Sequence, residues 1–247
     1  MTFWDHLDEL RGCLMKALAA VLVAGIAAFC CKDWLFQVVF APSRSDFLTY
    51  RLFDRLAHTV TQFDIKMINI ELAQQFLVHI KMSLWMGLLI VSPYVIYLFF
   101  GFLSPALYQS ERKYAVRAVG GAYVMFLLGV ALNYFVIFPF TYRFLGTYQV
   151  SPDISNQITL QNYVSTLLVL CLLMGVVFEL PVLSWLLAKI GLLRADVMKR
   201  YRRHAVVVIL ILAAVITPSG DAFTLTLVAL PIYLLYEFSI FLVGRTA

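Results

Sequence analysis

The chain has 247 residues, of which 62% are hydrophobic and 13% charged, with a formal net charge of +5. Soluble domains carry about 25% charged residues, so this composition excludes a globular domain on a membrane anchor and leaves a polytopic membrane protein. The basic surplus sits in short loops between apolar runs, which turns it toward membrane topology and away from nucleic acid.

Residues 1–12 hold Asp5, Asp8, Glu9 and Arg11. A secretory signal opens with positive charge, so this acidic start is expected to be retained. Span one is predicted at about 14–31, closed by Lys32 and Asp33. A mixed segment follows to about Glu71, with Pro42 shaping its first part. Within it Phe47, Leu48, Leu52, Phe53 and Leu56 recur at helical spacing, with Arg51, Asp54 and Arg55 on the other side. That pattern predicts a short amphipathic helix lying on the membrane face or on other spans.

Span two is predicted at about 76–102, interrupted by Pro93, with Lys81 near its start snorkelling toward the interface. The polar hinge Tyr108–Lys113 leads into span three, at about 115–138 and ending at Pro139. Residues 140–160 form a loop with Asp153 and Asn156 as turn formers.

Span four, at about 163–187, contains one charge, Glu179. An acid at the centre of a bilayer helix costs about 2.5–3.5 kcal/mol, taking the Asp value as a guide. Pro181 removes a backbone donor two residues on and loosens the helix one turn earlier. Glu179 is either protonated and tolerated, or it faces a cavity or a polar partner helix. Buried acids in lipid usually mark function, which favours the second.

The loop from Lys189 to His204 is the most basic part of the chain, with Lys189, Arg194, Lys199, Arg200, Arg202 and Arg203 against Asp196 alone. Span five is predicted at about 205–217. Its apolar run Ala205–Ile216 reaches roughly 18 Å, against a hydrocarbon core about 30 Å thick. Residues 217–221 turn the chain into span six, at about 223–243, which contains Pro231 and Glu237. A short hairpin of this kind implies local thinning of the bilayer or a sunken turn. Pro42, Lys81, Asp221 and Glu237 are kept as possible loop or partner sites.

Lysine and arginine set the orientation. With six spans, both termini share a side with the 103–114 and 189–204 loops, which hold most of the basic residues, so the termini are expected in the cytoplasm. The whole chain, 1–247, reads as one integral membrane domain. Cys13, Cys30, Cys31 and Cys171 show no disulfide-like arrangement and are expected to be free thiols. The sequence has no phosphate-binding loop of the G-x-x-x-x-G-K type, no H-E-x-x-H, no paired C-x-x-C and no G-x-S-x-G. No cofactor or metal is expected, nor an enzyme; the chain works by binding or conducting something. Of the conducting readings, one is a proton-coupled small-solute transporter using Glu179 and Glu237. A transporter wants paired charges near the midplane between repeats, and no internal repeat is evident.

A series of motifs now falls into order. They are His6-Leu7-Asp8-Glu9-Leu10-Arg11 before span one, and Ser92-Pro93-Tyr94-Val95-Ile96-Tyr97 in span two. Phe102-Leu103-Ser104-Pro105-Ala106-Leu107-Tyr108 with Glu111-Arg112 follows, then Phe178-Glu179-Leu180-Pro181. Last come Tyr201-Arg202-Arg203, Thr217-Pro218, and Leu230-Pro231-Ile232-Tyr233 with Tyr236-Glu237. In this order the chain resembles, over nearly its whole length, the TatC family of the twin-arginine, Sec-independent protein translocase. The resemblance implies an all-α bundle of six spans in a cup-like arrangement, with spans five and six short. It implies a bacterial inner-membrane receptor for the twin-arginine signal peptides of folded precursor proteins. Single-span TatA and TatB subunits would be its partners, with self-association in a receptor complex, and the proton-motive force would drive transport. It further implies that Glu9, Arg11, Phe102 and Glu111 belong to the surface receiving the arginine pair, and that Glu179 faces the concave side. Carboxylates are what guanidinium pairs need, since Arg–carboxylate pairing is bidentate. The chain departs from the family pattern at Cys13, where a second Arg is usual, at Thr224-Leu225 in place of Ser-Gln, and at Ser219-Gly220 where a second Pro is common.

Overall fold

A computed structural model describes residues 3–57, 63, 65–103, 112–151, 156–217 and 220–245, with backbone only at 3, 5, 6, 56, 57, 103 and 112–118. The fold is an all-α membrane bundle. Five helical stretches are long and apolar enough to cross a bilayer: Leu7–Cys30, Gln74–Phe102, Val119–Thr147, Leu160–Lys189 and Ala222–Gly244. The sixth, α10 (Arg202–Ile216), has 15 residues. At 1.5 Å per residue it reaches about 22 Å, short of the core.

Span one is longer than the sequence suggested. Helix α1 runs unbroken from Phe3 to Cys30, so the acidic segment forms its first turns. Lys32 and Asp33 do not end the helical structure; the chain kinks at Cys31 and continues as α2 (Lys32–Phe40). The last carbonyls of a helix lack internal partners, and here side chains meet them. Tyr134 donates to the Val38 carbonyl at 2.6 Å, Tyr163 to Val39 at 2.9 Å and Ser43 to Phe40 at 2.8 Å. The amphipathic pattern after it forms α3 (Leu48–Ala57), as expected.

Span two is α4 (Gln74–Leu103), a single helix through Pro93. Proline cannot donate to the carbonyl four residues back, which is Leu89; the Ser92 hydroxyl donates to it instead, at 2.7 Å. Helices α1 and α4 pack antiparallel. Gly25 faces Ser83 and Leu84, and a methyl group on Gly87 would lie 2.5 Å from the Gly25 nitrogen. Backbones that meet without side chains between them are the usual device for close packing in lipid.

Span three does not end at Pro139. Helix α5 (Arg112–Leu132) passes through a π-helical turn, Asn133–Ile137, into α6 (Phe138–Thr147). Pro139 cannot donate to the Phe135 carbonyl, and the Thr49 hydroxyl of α3 does so. Tyr50, wholly buried, adds a bond to the Pro139 carbonyl at 2.8 Å. The wide turn and these donors carry the helix through the proline. The chain on this side also forms a two-residue parallel pairing that the sequence did not suggest, β1 (Met67–Ile68) with β2 (Ile158–Thr159). Asn156 donates to the Gly146 and Tyr148 carbonyls at the end of α6, so its role as a turn former holds; Asp153 lies outside the described residues.

Span four is α7 (Leu160–Val177) followed by α8 (Leu180–Lys189), with the break at Phe178-Glu179 that Pro181 predicts. Gly191, at φ +75°, closes α8: Leu192 N–H donates to the Leu187 carbonyl and Gly191 N–H to Ala188. That is the left-handed helix stop glycine provides at least cost. A short helix α9 (Ala195–Arg200) leads to α10, and α11 (Ala222–Gly244) is span six. The main core joins α4, α5, α7, α10 and α11 through residues such as Met82, Leu167, Met174 and Ile232.

Candidate functional site

Glu179 stands at the break in span four. Both its carboxyl oxygens are buried without a hydrogen-bond partner among the described residues. It lines a cavity of about 380 Å³ between spans two, three and four, whose walls include Ile96, Phe99, Phe100, Phe126 and Leu172. Ser92 also lines it, but its hydroxyl is committed to Leu89. A carboxyl group in such walls carries an unmet demand for a polar partner. Glu179 thus faces a cavity with no polar partner among the described residues.

At the end of the bundle where α1 begins, register sets the neighbours. Phe29 stacks on His79 with centroids 3.9 Å apart, and Gly25 meets Gly87. Going back sixteen residues from Gly25 along α1 while advancing equally on the antiparallel α4 puts Glu9 level with about residues 99–103. Phe102, half-buried, is in that interval. Arg11 is exposed two residues further along α1. Glu9 is the seventh residue of α1, beyond the first turn where the helix dipole favours an acid. Glu111, Ser104–Tyr108, Pro218 and Ser219 lie outside the described residues.

The remaining candidates separate. Glu237 accepts from Arg202 at 2.7 Å and from the Tyr233 hydroxyl at 3.2 Å, so it joins spans five and six. Asp221 caps α11, its carboxylate accepting the Thr224 N–H at 2.7 Å. Thr224 itself is buried, its hydroxyl without a hydrogen-bond partner among the described residues. Pro42 is buried beneath α3, its carbonyl accepting from Tyr50 at 3.2 Å. Lys81 is exposed near the start of α4. Cys171 is buried against Asn133, whose amide lies 3.0 Å from the sulfur, whereas Cys30 and Cys31 are exposed at the kink after span one.

Sequence reasoning missed the Thr49–Phe135 bond and the Asn133–Cys171 pair. Ser92 beside Pro93 was a readable signal for the first kind of repair; Thr49, 86 residues from its acceptor, was not.

Fold and site together define a multi-pass helical membrane protein with a buried carboxyl group, Glu179, at the break in its fourth span. The family model described as Sec-independent protein translocase protein (TatC) matches residues 5–231. Among curated relatives, the Sec-independent protein translocase protein TatC of Blattabacterium sp. subsp. Periplaneta americana (strain BPLAN) is 34% identical over 252 residues, covering 98% of this chain and 94% of that one. The protein of the same name from Aquifex aeolicus (strain VF5) is 29% identical over 248 residues, covering 100% and 96%. The crystal structure of the twin arginine translocase receptor TatC superposes with a TM-score of 0.79 at 28% identity, covering 98% of this chain and 99% of that one. The chain belongs to the TatC family.

Proposed function

We propose that this TatC-family protein is the signal-peptide receptor and core subunit of a twin-arginine translocase. It exports folded precursors across the bacterial inner membrane with TatA- and TatB-type single-span partners, driven by the proton-motive force. Both termini face the cytoplasm, following the basic loops. Glu9 and Glu111 receive the two guanidinium groups, with Arg11 and Phe102 beside them. What supports this reading is the register of α1 on α4, which carried along the two helices brings Glu9 to the level of about residues 99–103, the interval that holds Phe102. Arginine suits such a site better than lysine because its planar fork matches a carboxylate. Glu179 holds a polar residue of a partner's apolar helix in the adjoining cavity. A proton-coupled solute carrier is disfavoured, because Glu237, its second candidate acid, is engaged by Arg202.

The test is capture of the purified protein by an immobilised twin-arginine signal peptide and by its twin-lysine version. Preferential capture by the arginine form supports the reading; equal capture by both, or none by either, removes it.

A further inference from the structure

The chain between spans four and five carries more cations than its own acids answer. Arg194, Lys199, Arg200 and Arg203 are exposed, and among the described residues no carboxylate lies within ion-pair distance of any of them. Arg202 differs, being committed to Glu237 at 2.7 Å. Asp196 is the one acid between Lys189 and His204.

The segment is held in place. Met198 of α9 is buried against Ile240 and Val243 of α11, and the Tyr236 hydroxyl donates to its carbonyl at 2.8 Å. A methyl group on Gly244 would lie 3.8 Å from the Ala195 side chain, so α9 sits against the end of span six. With Met198 turned to the bundle, Lys199 and Arg200 leave α9 on its other side.

Height and composition together select the partner. Arg203 stands two residues, and Arg200 five, before Ala205, where the apolar run of span five begins. That places these cations where hydrocarbon gives way to headgroups. Between them Leu192, Val197 and Tyr201 are 74%, 46% and 53% exposed. Exposed aliphatics, a tyrosine and long basic side chains at one level suit a bilayer boundary: the aliphatics meet acyl chains, the ring the interface, the cations phosphate. An acidic protein segment bound from water would use the cations and leave Leu192 and Val197 in water.

We propose that residues 191–204 form a lipid-binding surface that gathers anionic phospholipid headgroups around the end of span five. Four uncommitted cations against Asp196 leave three positive charges, and basic clusters directly beside a span attract anionic lipid. This surface does not depend on the receptor reading of Glu9.

The test uses the full chain in phosphatidylcholine vesicles, with Cys13, Cys30 and Cys31 replaced by alanine and the buried Cys171 kept. A fluorophore on Val197→Cys reports quenching by phosphatidylglycerol or phosphatidylcholine, each carrying a nitroxide near the headgroup. Phosphatidylglycerol should be enriched at the label about fivefold or more, the effect of one surface cation. Combining Lys199→Gln, Arg200→Gln and Arg203→Gln leaves Arg194 balanced by Asp196 and the Arg202–Glu237 pair untouched, and should bring the ratio to about one. Salt at about 1 M, where screening acts within about 3 Å, should do the same without any substitution of the cations. A label on Val150→Cys, exposed in the loop before span four, should be quenched equally by both lipids. Equal quenching at Val197→Cys in low salt overturns the proposal and leaves the cations to topology or to an acidic protein. A preference that survives the triple variant or high salt, or one of the same size at Val150→Cys, overturns it too.

Discussion

The Thr49 hydroxyl donates to the main-chain carbonyl of Phe135, at the point in span three where Pro139 has no N–H to give. One turn away Tyr50 donates to the carbonyl of Pro139 itself. Helix α3 is thus fastened to the wide turn of a transmembrane span by side-chain donors, and the span is kept helical by a loop. Thr49→Val should cost about 0.5–1.5 kcal/mol, the net value of an ordinary hydrogen bond. Tyr50→Phe should cost more, about 1–3 kcal/mol, because Tyr50 is wholly buried and its loss strands buried acceptors. Thermal unfolding in detergent micelles measures both; a Tyr50→Phe protein as stable as wild type contradicts the tie.

The same tyrosine gives a pH dependence. Burial, the largest influence, raises the Tyr50 phenol above its ordinary value. The folded state therefore holds this proton more tightly than the unfolded chain does. Its contribution is complete below the unfolded pKa of about 10 and declines as pH rises beyond it. The alkaline limb of the stability profile should be shallower in Tyr50→Phe than in wild type, and parallel limbs would rule this out.

Charge, rather than shape, should govern signal recognition at the start of span one. Glu9→Gln and Glu111→Gln keep the size of each side chain and remove the partner of a guanidinium. Each is expected to weaken signal-peptide cross-linking and export of a twin-arginine reporter, with the protein still inserted. A double variant that exports the reporter at the normal rate would falsify the assignment.

The hairpin of spans five and six should stop short of full bilayer depth. Ala222 is exposed where α11 begins, and a Cys placed there in a background without the native cysteines reports the depth of the turn. A membrane-impermeant thiol reagent should label it more slowly than a site in the loop before span four. Adding four apolar residues, about 6 Å, to α10 should impair transport more than insertion. Labelling at the rate of an open loop would contradict a sunken turn.

Glu179 should act on partner placement. Interhelical hydrogen bonds in membranes average about 0.6 kcal/mol and reach about 1.7, enough to fix the register of a helix already held by packing. Glu179→Ala is expected to leave insertion and signal binding intact, shift the cross-links between span four and a partner helix, and reduce export. Unchanged cross-links with unchanged export would return Glu179 to a tolerated, protonated acid.

The spans were legible because long apolar runs leave few alternatives, and the break at Glu179 was legible because proline acts one turn upstream. Helix ends were harder. At Pro139 the local rule predicts termination, and distant donors from α3 override it. Helix α2 was missed because its carbonyls are met by tyrosines of spans three and four, whose positions only the fold supplies. Glu237 reads as an acid inside an apolar run; Arg202, its partner, lies 35 residues away in what the sequence shows as a basic loop.

The glycine contact between α1 and α4 has a mechanical side. With Gly87 against the main chain of Gly25, no layer of side chains is left there to shear or to take up slack. Above it Phe29 lies flat on His79, so sliding would have to break a second, larger contact. A pull along the axis of span one would therefore be passed to span two at this contact, and the two helices would move as one piece.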